Sequence, residues 1–302
     1  MIAKTNRVSK AKEMRAEYAR CQKLIQTRLD DYFTQEVRFK TLLEAMRYSL
    51  LSGGKRIRAV ICIEFCLAAG GDEKSALEAA CAIEMLHAYS LIHDDLPCMD
   101  DSDKRRGLPS SHIKYGEANA MLAGDALQAA AFETLIGSGL PEAVLSRMVK
   151  ILAAAAGAFG ICGGQYLDLR SEGKQITPEE LEEIHKMKTA VLIVAAAKLG
   201  VTAARGSPEQ LKAADDYASS LGLAFQVRDD LLDTIAPSDE LGKPTGADNR
   251  RAKATFASFY GSEECERIIC AETEKAVAAI DGKFIDTTFL VWFAKLLADR
   301  AH

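Results

Sequence analysis

Two clusters of aspartate end apolar stretches that have helical spacing. The first, in "LIHDDLPCMDDSD", contains Asp94, Asp95, Asp100, Asp101 and Asp103, and the second, in "FQVRDDLLD", contains Asp229, Asp230 and Asp233. Positions four apart from Ala82 to Asp94 share one stripe of a helix, and this stripe is small or apolar until it reaches Asp94. Carboxylates at a helix C-terminus oppose the macrodipole, so helix stability does not explain them. The pattern predicts acidic groups on the inward faces of two helices.

A solvated helix end is the simpler interpretation of either cluster taken alone. Asp229 and Asp233 are four residues apart and face the same way, which mildly destabilises an isolated helix. The repetition of this construction favours a joint site, because two carboxylate sets across a cavity would bind Mg²⁺ together with water and substrate phosphates. Pro97 disfavours helical geometry in the residue before it, which would let Asp100 turn back toward Asp94.

Basic side chains accompany the acidic clusters. Lys55 and Arg58, in "GGKRIRA", are three residues apart at the start of a helix, where glycine permits close backbone approach and the helix N-terminus favours anions. Arg105 and Arg106 are adjacent on an extended segment and point opposite ways, so they would serve two phosphate groups. A solvated basic face is the alternative, and "GGK" is not a Walker A loop because Arg56 follows the lysine.

Three further residues lie at positions where they would bind an anion. Lys188, followed by Thr189, stands inside an otherwise apolar helix, where a buried ammonium needs an anion. Lys243 follows the second acidic helix. His87 precedes Asp94 on one helix and would reach the same cavity, although a lone histidine on an apolar face is more often a core residue. These residues extend the predicted site from metal ligands to a diphosphate cradle.

Composition narrows the class of protein. The chain has 302 residues, 48% of them hydrophobic, and a net charge of -5, which argues against nucleic acid as the main partner. The eight cysteines form no C-x-x-C pair and are interpreted as reduced thiols. The runs Ile151–Gly164 and Val191–Ala204 are too short or are interrupted by Lys198, so no membrane span is expected. The N-terminus lacks a signal-peptide pattern; a cytoplasmic protein is predicted, with an organelle transit sequence as the alternative.

Helical periodicity dominates the whole chain. Asp72, Thr177–Glu180 and Ser207–Glu209 have the residue types of helix starts, and no sustained β-branched alternation or Asn-Gly turn predicts a strand ladder. Without a linker or repeat to divide the chain, we expect one all-α domain over residues 1–302. Residues 1–35 are expected to form an N-terminal helical extension of that domain.

These segments resemble, in order, the blocks of the short-chain trans-isoprenyl diphosphate synthases, of the bacterial and plant-plastid type close to farnesyl diphosphate synthase. The two aspartate segments are similar to the two aspartate-rich motifs of that family, and "GGKRIRA", "GEANAMLAGDAL", "CGGQYLDL" and "HKMKTAVLI" are similar to its other blocks. The resemblance covers about residues 40–256. It implies an all-α helical bundle around a deep central cavity, usually in a homodimer.

The resemblance also implies roles for individual residues. Metal binding is implied for Asp94, Asp100 and Asp229, with Asp95, Asp230 and Asp233 in support. Allylic diphosphate binding is implied for Arg105, Lys188 and Lys243, and isopentenyl diphosphate binding for Lys55, Arg58, His87 and Arg106. Lys188, Thr189 and Gln226 would stabilise the reacting groups, and Gln165 and Asp168 would line the cavity. The implied cofactor is Mg²⁺, about three ions per active site, with Mn²⁺ as a substitute.

The implied reaction is the head-to-tail condensation of isopentenyl diphosphate with dimethylallyl and geranyl diphosphate, which gives farnesyl diphosphate and pyrophosphate. Tyr89 lies five residues before Asp94, or about 7–8 Å along the helix, where a bulky ring would limit the product to C15. A geranyl or geranylgeranyl diphosphate synthase is the alternative within the family. The competing hypotheses are a class I terpene cyclase, which needs no second diphosphate site, a non-catalytic partner subunit of such a synthase, and an acidic helical scaffold.

Overall fold

The computed structural model describes residues 2–235 and 254–299, with side chains described for 10–232 and 254–299. Its α-helices are α1 Ile2–Asp30, α2 Lys40–Leu51, α3 Ile57–Ala68, α4 Glu73–Asp94, α5 Ser111–Tyr115, α6 Glu117–Ile136, α7 Glu142–Ala156, α8 Ile161–Ser171, α9 Pro178–His185, α10 Val191–Ala203, α11 Pro208–Ile235, α12 Phe256–Ala279 and α13 Thr288–Ala298. One π-helical turn, Lys186–Ala190, joins α9 to α10. The all-α prediction is confirmed.

A short hairpin interrupts this helical architecture and was not predicted. Strands β1 (Lys104–Arg105) and β2 (Leu108–Pro109) pair antiparallel, with Arg105 opposite Leu108. Arg106 and Gly107 between them have φ values of +54° and +76°. A two-residue loop with both φ values positive matches the right-handed twist of a hairpin. The sequence signal was Arg-Gly, which is less diagnostic than Asn-Gly because arginine rarely adopts this conformation.

All three predicted helix starts have the expected caps. At the start of α11, the hydroxyl of Ser207 accepts from the backbone N–H of Gln210 at 3.1 Å. The carboxylate of Asp72 accepts a hydrogen bond from the backbone N–H of Ser75, 2.8 Å away, at the start of α4. Thr177 and Glu180 form a reciprocal capping box at the start of α9, with Pro178 in its first turn. These caps satisfy backbone donors that a helix N-terminus would otherwise leave free.

Helix α4 lies at the centre of the molecule. It packs against α3, α6 and α10 and also contacts α1 and α2. Most of its side chains are buried, including Leu86 and Tyr89. Because α4 is covered on several sides, its C-terminal carboxylates emerge inside the protein. On the other side, α11 packs between α10 and α12, so the second aspartate cluster approaches the same region from another helix.

One apolar segment is long enough to cross a membrane by length and composition. Among the described residues, this segment is Glu142–Ser171, which is longer than the run considered from sequence. Core helices of soluble proteins meet the same criteria. The backbone leaves helical geometry between α7 and α8, where Gly157 has an extended conformation with ψ −165°. The segment is therefore two helices joined by a bend.

Helices α3 and α10, which lead into two parts of the predicted site, cross at Gly200. A Cβ at this position would lie 2.1 Å from the backbone oxygen of Cys62. Backbone atoms on a packed helix cannot retreat as a flexible side chain can, so the two helices would have to separate.

We therefore expect Gly200→Ala to lower the free energy of unfolding by about 1–3 kcal/mol, through overpacking. Gly137→Ala is the matched control, because its new Cβ would meet nothing closer than 3.4 Å. Urea and thermal unfolding of the two variants measure the difference. Equal midpoints would show that the α3–α10 contact is not tight.

Candidate active site

The loop after α4 turns back onto the helix end, as predicted from Pro97. The backbone N–H of Asp100 donates to the carbonyl of Asp94 at 2.8 Å, and that of Asp101 donates to the carbonyl of Leu96 at 3.0 Å. Asp101 has a φ of +46°, which supplies the sharp reversal. The loop therefore places Asp100 next to Asp94.

The carboxyl group of Asp94 lies among charges of both signs. Burial raises its pKa to about 6; the nearby Lys188 and Arg105 lower the pKa, and Asp100 and Asp95 raise it. These interactions place residues from α4, its following loop, the hairpin and the π-turn around one point. A carboxylate crowded by other carboxylates in a buried place is stabilised by an added cation.

Asp95 points the other way, into the protein. It is 3% exposed and accepts hydrogen bonds from the guanidinium of Arg105, whose Nε lies 3.1 Å and 3.2 Å from its two oxygens. The contact orients Arg105 through a pair of charge-assisted hydrogen bonds. It raises the pKa of Arg105, against the lowering effect of burial. Asp95 thus positions an arginine of the predicted allylic site.

The second aspartate pair repeats this arrangement. Asp230 is 5% exposed, and its oxygens accept from the side-chain amide of Gln226 at 2.8 Å and from the backbone N–H of Phe256 at 2.9 Å. The latter bond ties the first residue of α12 to α11. Burial lowers the pKa of the Arg58 guanidinium, and Asp229, which is half-buried one residue before Asp230, lies close enough to oppose that lowering.

The π-turn brings two predicted residues to the same place. The ammonium of Lys188 donates to the carboxylate of Asp168 at 2.6 Å, and the hydroxyl of Thr189 donates to the side-chain amide oxygen Oε1 of Gln226 at 3.0 Å. Lys188 thereby contacts α8, and Thr189 contacts α11. A π-turn holds an extra residue per turn and is frequent at functional sites. Here it lets two consecutive side chains reach two different helices.

Glycine permits the close packing that this turn requires. A Cβ on Gly164 of α8 would lie 2.3 Å from the backbone nitrogen of Lys188, and one on Gly222 of α11 would lie 2.5 Å from the Cβ of Ala190. Next to Gly164, Gln165 is 6% exposed, and among the described residues its side-chain nitrogen and oxygen have no hydrogen-bond partner. A buried amide with both ends unpaired fits a site that takes a polar ligand.

The predicted isopentenyl diphosphate residues line one cavity of about 440 Å³. The lining includes Lys55, Arg58, His87 and Arg106, together with Phe225 of α11. Arg58 Nη1 lies 3.4 Å from His87 Nε2. Burial and the arginines around it lower the pKa of His87 well below its usual value, so the imidazole is neutral. Arg106 donates to the carbonyl of Gly53 and lies 3.4 Å from the hydroxyl of Ser52.

Sequence reasoning missed two further residues that line this cavity and pair with each other, Arg56 and Glu84. Arg56 is 6% exposed, and its Nη1 lies 3.1 Å from the Oε2 of Glu84 on α4. The signal was present, because a glutamate in the middle of a buried helix needs a partner. Lys243, by contrast, lies outside the described residues, as does the side chain of Asp233. The proposed roles of both stay predictions.

Carboxylate oxygens are the donors that Mg²⁺ prefers. Asp94 and Asp100 belong to the end of α4 and the loop after it, and Asp229 belongs to α11, near Arg58. Among the described residues, no three acidic, histidine or cysteine side chains converge closely enough to hold a metal ion alone. These carboxylates fit a Mg²⁺ ion that takes one or two of them and completes its coordination shell with water and substrate phosphates. The residues therefore fit Mg²⁺ in the presence of a diphosphate.

Comparison with known proteins identifies the family. The polyprenyl synthetase family profile matches residues 39–281, which include both aspartate clusters and the basic cavity. The chain belongs to the polyprenyl synthetase family. This membership confirms the resemblance drawn from the motifs.

The relatives of this chain are named for more than one product. Geranylgeranyl pyrophosphate synthase 3 of Arabidopsis thaliana is 49% identical over 235 residues, which are 76% of this chain and 65% of that protein. Farnesyl diphosphate synthase of Escherichia coli (strain K12) is 43% identical over 267 residues, 86% and 89% of the two chains. The crystal structure of an FPP/GFPP synthase from Zymomonas mobilis superposes with a TM-score of 0.85 at 31% identity, over 95% of this chain and 99% of that one.

The opposite orientations of Asp94 and Asp95 give opposite expectations for their asparagine variants. Asp95→Asn should lower the free energy of unfolding by about 1.5–3 kcal/mol, because half-buried Arg105 loses a charged acceptor at a buried position. Asp94→Asn should leave stability equal or higher, because it removes one of several crowded carboxylates, and should lower turnover on the order of 100-fold or more. Unfolding in urea and steady-state kinetics on both proteins test this, and a stability loss in Asp94→Asn would contradict it.

Proposed function

We propose that this protein is a Mg²⁺-dependent prenyltransferase that condenses isopentenyl diphosphate with an allylic diphosphate. The observation that carries the proposal is the presence of two different anion sites side by side. One is bounded by carboxylates with Lys188 and Arg105, and the other is the 440 Å³ cavity lined by basic side chains. A cyclase or a hydrolase acting on one diphosphate would not need the second site.

The proposed reaction breaks one bond and forms another. The allylic C–O bond breaks, and its electron pair leaves with pyrophosphate. The double bond of isopentenyl diphosphate supplies the electrons of the new C–C bond, and a proton then passes from the condensed chain to the departing pyrophosphate. Bound Mg²⁺ supplies Lewis-acid neutralisation of the leaving group.

The residues of this chain would bind and orient the two substrates. Arg105, oriented by Asp95, and Lys188, which contacts Asp168 in the free protein, would bind the allylic diphosphate. The oxygens of Thr189 and Gln226 would face the positive charge that develops on the allylic carbons, and such preorganised dipoles need no rearrangement at the moment of reaction. Lys243 is proposed to add a further cation.

We further propose farnesyl diphosphate as the main product, with geranylgeranyl diphosphate as the alternative. Tyr89 is 5% exposed, and its hydroxyl lies 3.4 Å from the Sγ of Cys162. The ring of His93 packs edge-on against it, with centroids 5.4 Å apart. A ring fixed by two neighbours would be a firm floor for a growing chain. The relatives named above include both farnesyl and geranylgeranyl synthases, which supports the family reaction but leaves the chain length to experiment.

A homodimer is proposed from an apolar surface on α6 and around the bend between α7 and α8. Its large side chains include Met121, Leu122, Ile136, Phe159 and Tyr166, and Phe159 is 94% exposed. Large apolar side chains exposed in this way are costly in water and are often covered in an assembly. A second copy presents the same surface, which suits a twofold interface. The cytoplasmic location stays a prediction.

A non-catalytic partner subunit is the competing proposal from another class. Such a subunit would not need metal-binding carboxylates, yet Asp94, Asp100 and Asp229 are all present. Purified protein with Mg²⁺, isopentenyl diphosphate and geranyl diphosphate should release pyrophosphate and form a longer prenyl diphosphate. EDTA should abolish the product, and added Mg²⁺ should restore it. Absence of product with Mg²⁺ present would refute the enzymatic proposal.

If the ring of Tyr89 limits the length of the product, truncating this side chain should change the product. Tyr89→Ala should shift the main product from C15 to C20 or longer, because the cavity gains the volume of a ring. Tyr89→Phe is the matched control and should keep C15, since it removes only the hydroxyl. Chromatography of dephosphorylated products measures the distribution. A wild-type enzyme that already makes mainly C20 would overturn the assignment of the floor.

A further inference from the structure

The turn that carries Lys55 has an unusual backbone. Gly53, Gly54 and Arg56 have φ values of +86°, +126° and +50°. For arginine this conformation is unfavourable, and a short glycine-containing segment can adopt many other conformations. The turn can hold a defined shape only if contacts from outside hold it. Since Lys55 and Arg58 line the proposed isopentenyl diphosphate cavity, the contacts that hold the turn also determine the shape of that cavity.

Helix α1 supplies the first contacts, through the backbone of Lys55. The carbonyl oxygen of Lys55 accepts one hydrogen bond from the hydroxyl of Tyr18, at 2.6 Å, and one from the amide of Gln22, at 2.9 Å. Tyr18 and Gln22 are four residues apart and so lie on one stripe of α1. The ring of Tyr18 is itself packed edge-on against Phe293 of α13, with centroids 5.2 Å apart.

The side chain of Arg56 supplies the second set. Its Nη2 donates to the side-chain oxygen of Gln26 on α1 at 2.9 Å and to the carbonyl of Leu50 at 2.8 Å. Its Nη1 donates to Glu84 on α4 at 3.1 Å, and the other oxygen of Glu84 accepts from the backbone N–H of Ala59 at 3.3 Å. Helices α1, α2 and α4 thus hold the turn from three directions.

We propose that Tyr18 and Gln22 of α1 are positioning residues for the isopentenyl diphosphate site. They fix the peptide after Lys55, and through it the directions of Lys55 and Arg58, before the substrate arrives. The family profile begins at residue 39, so α1 lies outside the matched region. The inference rests on the proposed function and adds to it an element of the chain that the family motifs do not include.

The physical reason is preorganisation. Without the two hydrogen bonds the turn would sample other conformations, and substrate binding would have to order it. The allylic site is built from α4, the hairpin, the π-turn and α11, and shares none of these bonds. Loss of the two hydrogen bonds should therefore weaken the binding of isopentenyl diphosphate and not that of the allylic substrate.

The test uses the full-length protein with Tyr18→Phe, Gln22→Met and the double variant. Isothermal titration with isopentenyl diphosphate alone measures binding without turnover, because condensation needs the allylic partner. The double variant should show a dissociation constant and a KM for isopentenyl diphosphate raised about tenfold, with the KM for geranyl diphosphate changed less than about twofold. Gln22→Lys, which keeps a donor at similar length, should bind nearly as the wild type does.

Exposed Lys23 on the same helix provides the control variant Lys23→Gln, which should change neither constant. Equal isopentenyl diphosphate binding in wild type and double variant would overturn the inference, as would parallel losses for both substrates with a lowered thermal midpoint. Tyr18→Phe alone, which keeps the ring against Phe293, decides the question should the double variant fail to fold. A wild-type protein without condensation activity would instead refute the proposed function.

Discussion

The structure depends on neighbouring carboxylates that face opposite ways. At the end of α4 and near the end of α11, one aspartate of each pair is satisfied inside the protein, Asp95 by Arg105 and Asp230 by Gln226 and the start of α12. The other aspartate of each pair, Asp94 or Asp229, is the proposed metal ligand. A buried carboxylate without a partner would be prohibitively costly, so these contacts are what allow the inner members to be buried. The same contacts also orient the residues that accompany the outer members.

Under the proposed function, this arrangement separates two kinds of anion recognition. On one side, carboxylates and a lysine suit a diphosphate that arrives with metal ions. On the other, Arg58, Arg106 and the neutral His87 suit a diphosphate bound by side chains alone. Asp229 acts on the guanidinium of Arg58, so the two regions adjoin. Their closeness is what a bond-forming reaction between two diphosphate substrates requires.

Much of this arrangement was predictable from the sequence, because periodicity and charge determine which residues share a face. The inward stripe of α4, the return of Asp100 and the grouping of the basic residues follow from spacing and from one proline. The hairpin, the π-turn and the Arg56–Glu84 pair do not. Each depends on backbone geometry or on a partner about 30 residues or more away, which a local pattern does not encode. The positive charges of Lys55 and Arg58 allowed them to be predicted from the sequence. The contacts that shape their turn are made to a backbone carbonyl oxygen. Every residue has one, so the sequence does not mark this one.

The π-turn at Lys186–Ala190 has a consequence for how this chain tolerates insertions and deletions. Each residue of an α-helix advances the side-chain direction by about 100°. Removing one residue from the turn would restore an ordinary helix, but it would swing α9 around the axis of α10 and turn Lys188 and Thr189 away from Asp168 and Gln226. The length of this five-residue stretch is therefore as important for the position of Lys188 and Thr189 as its composition. Gaps in it should be rarer among functioning relatives than substitutions.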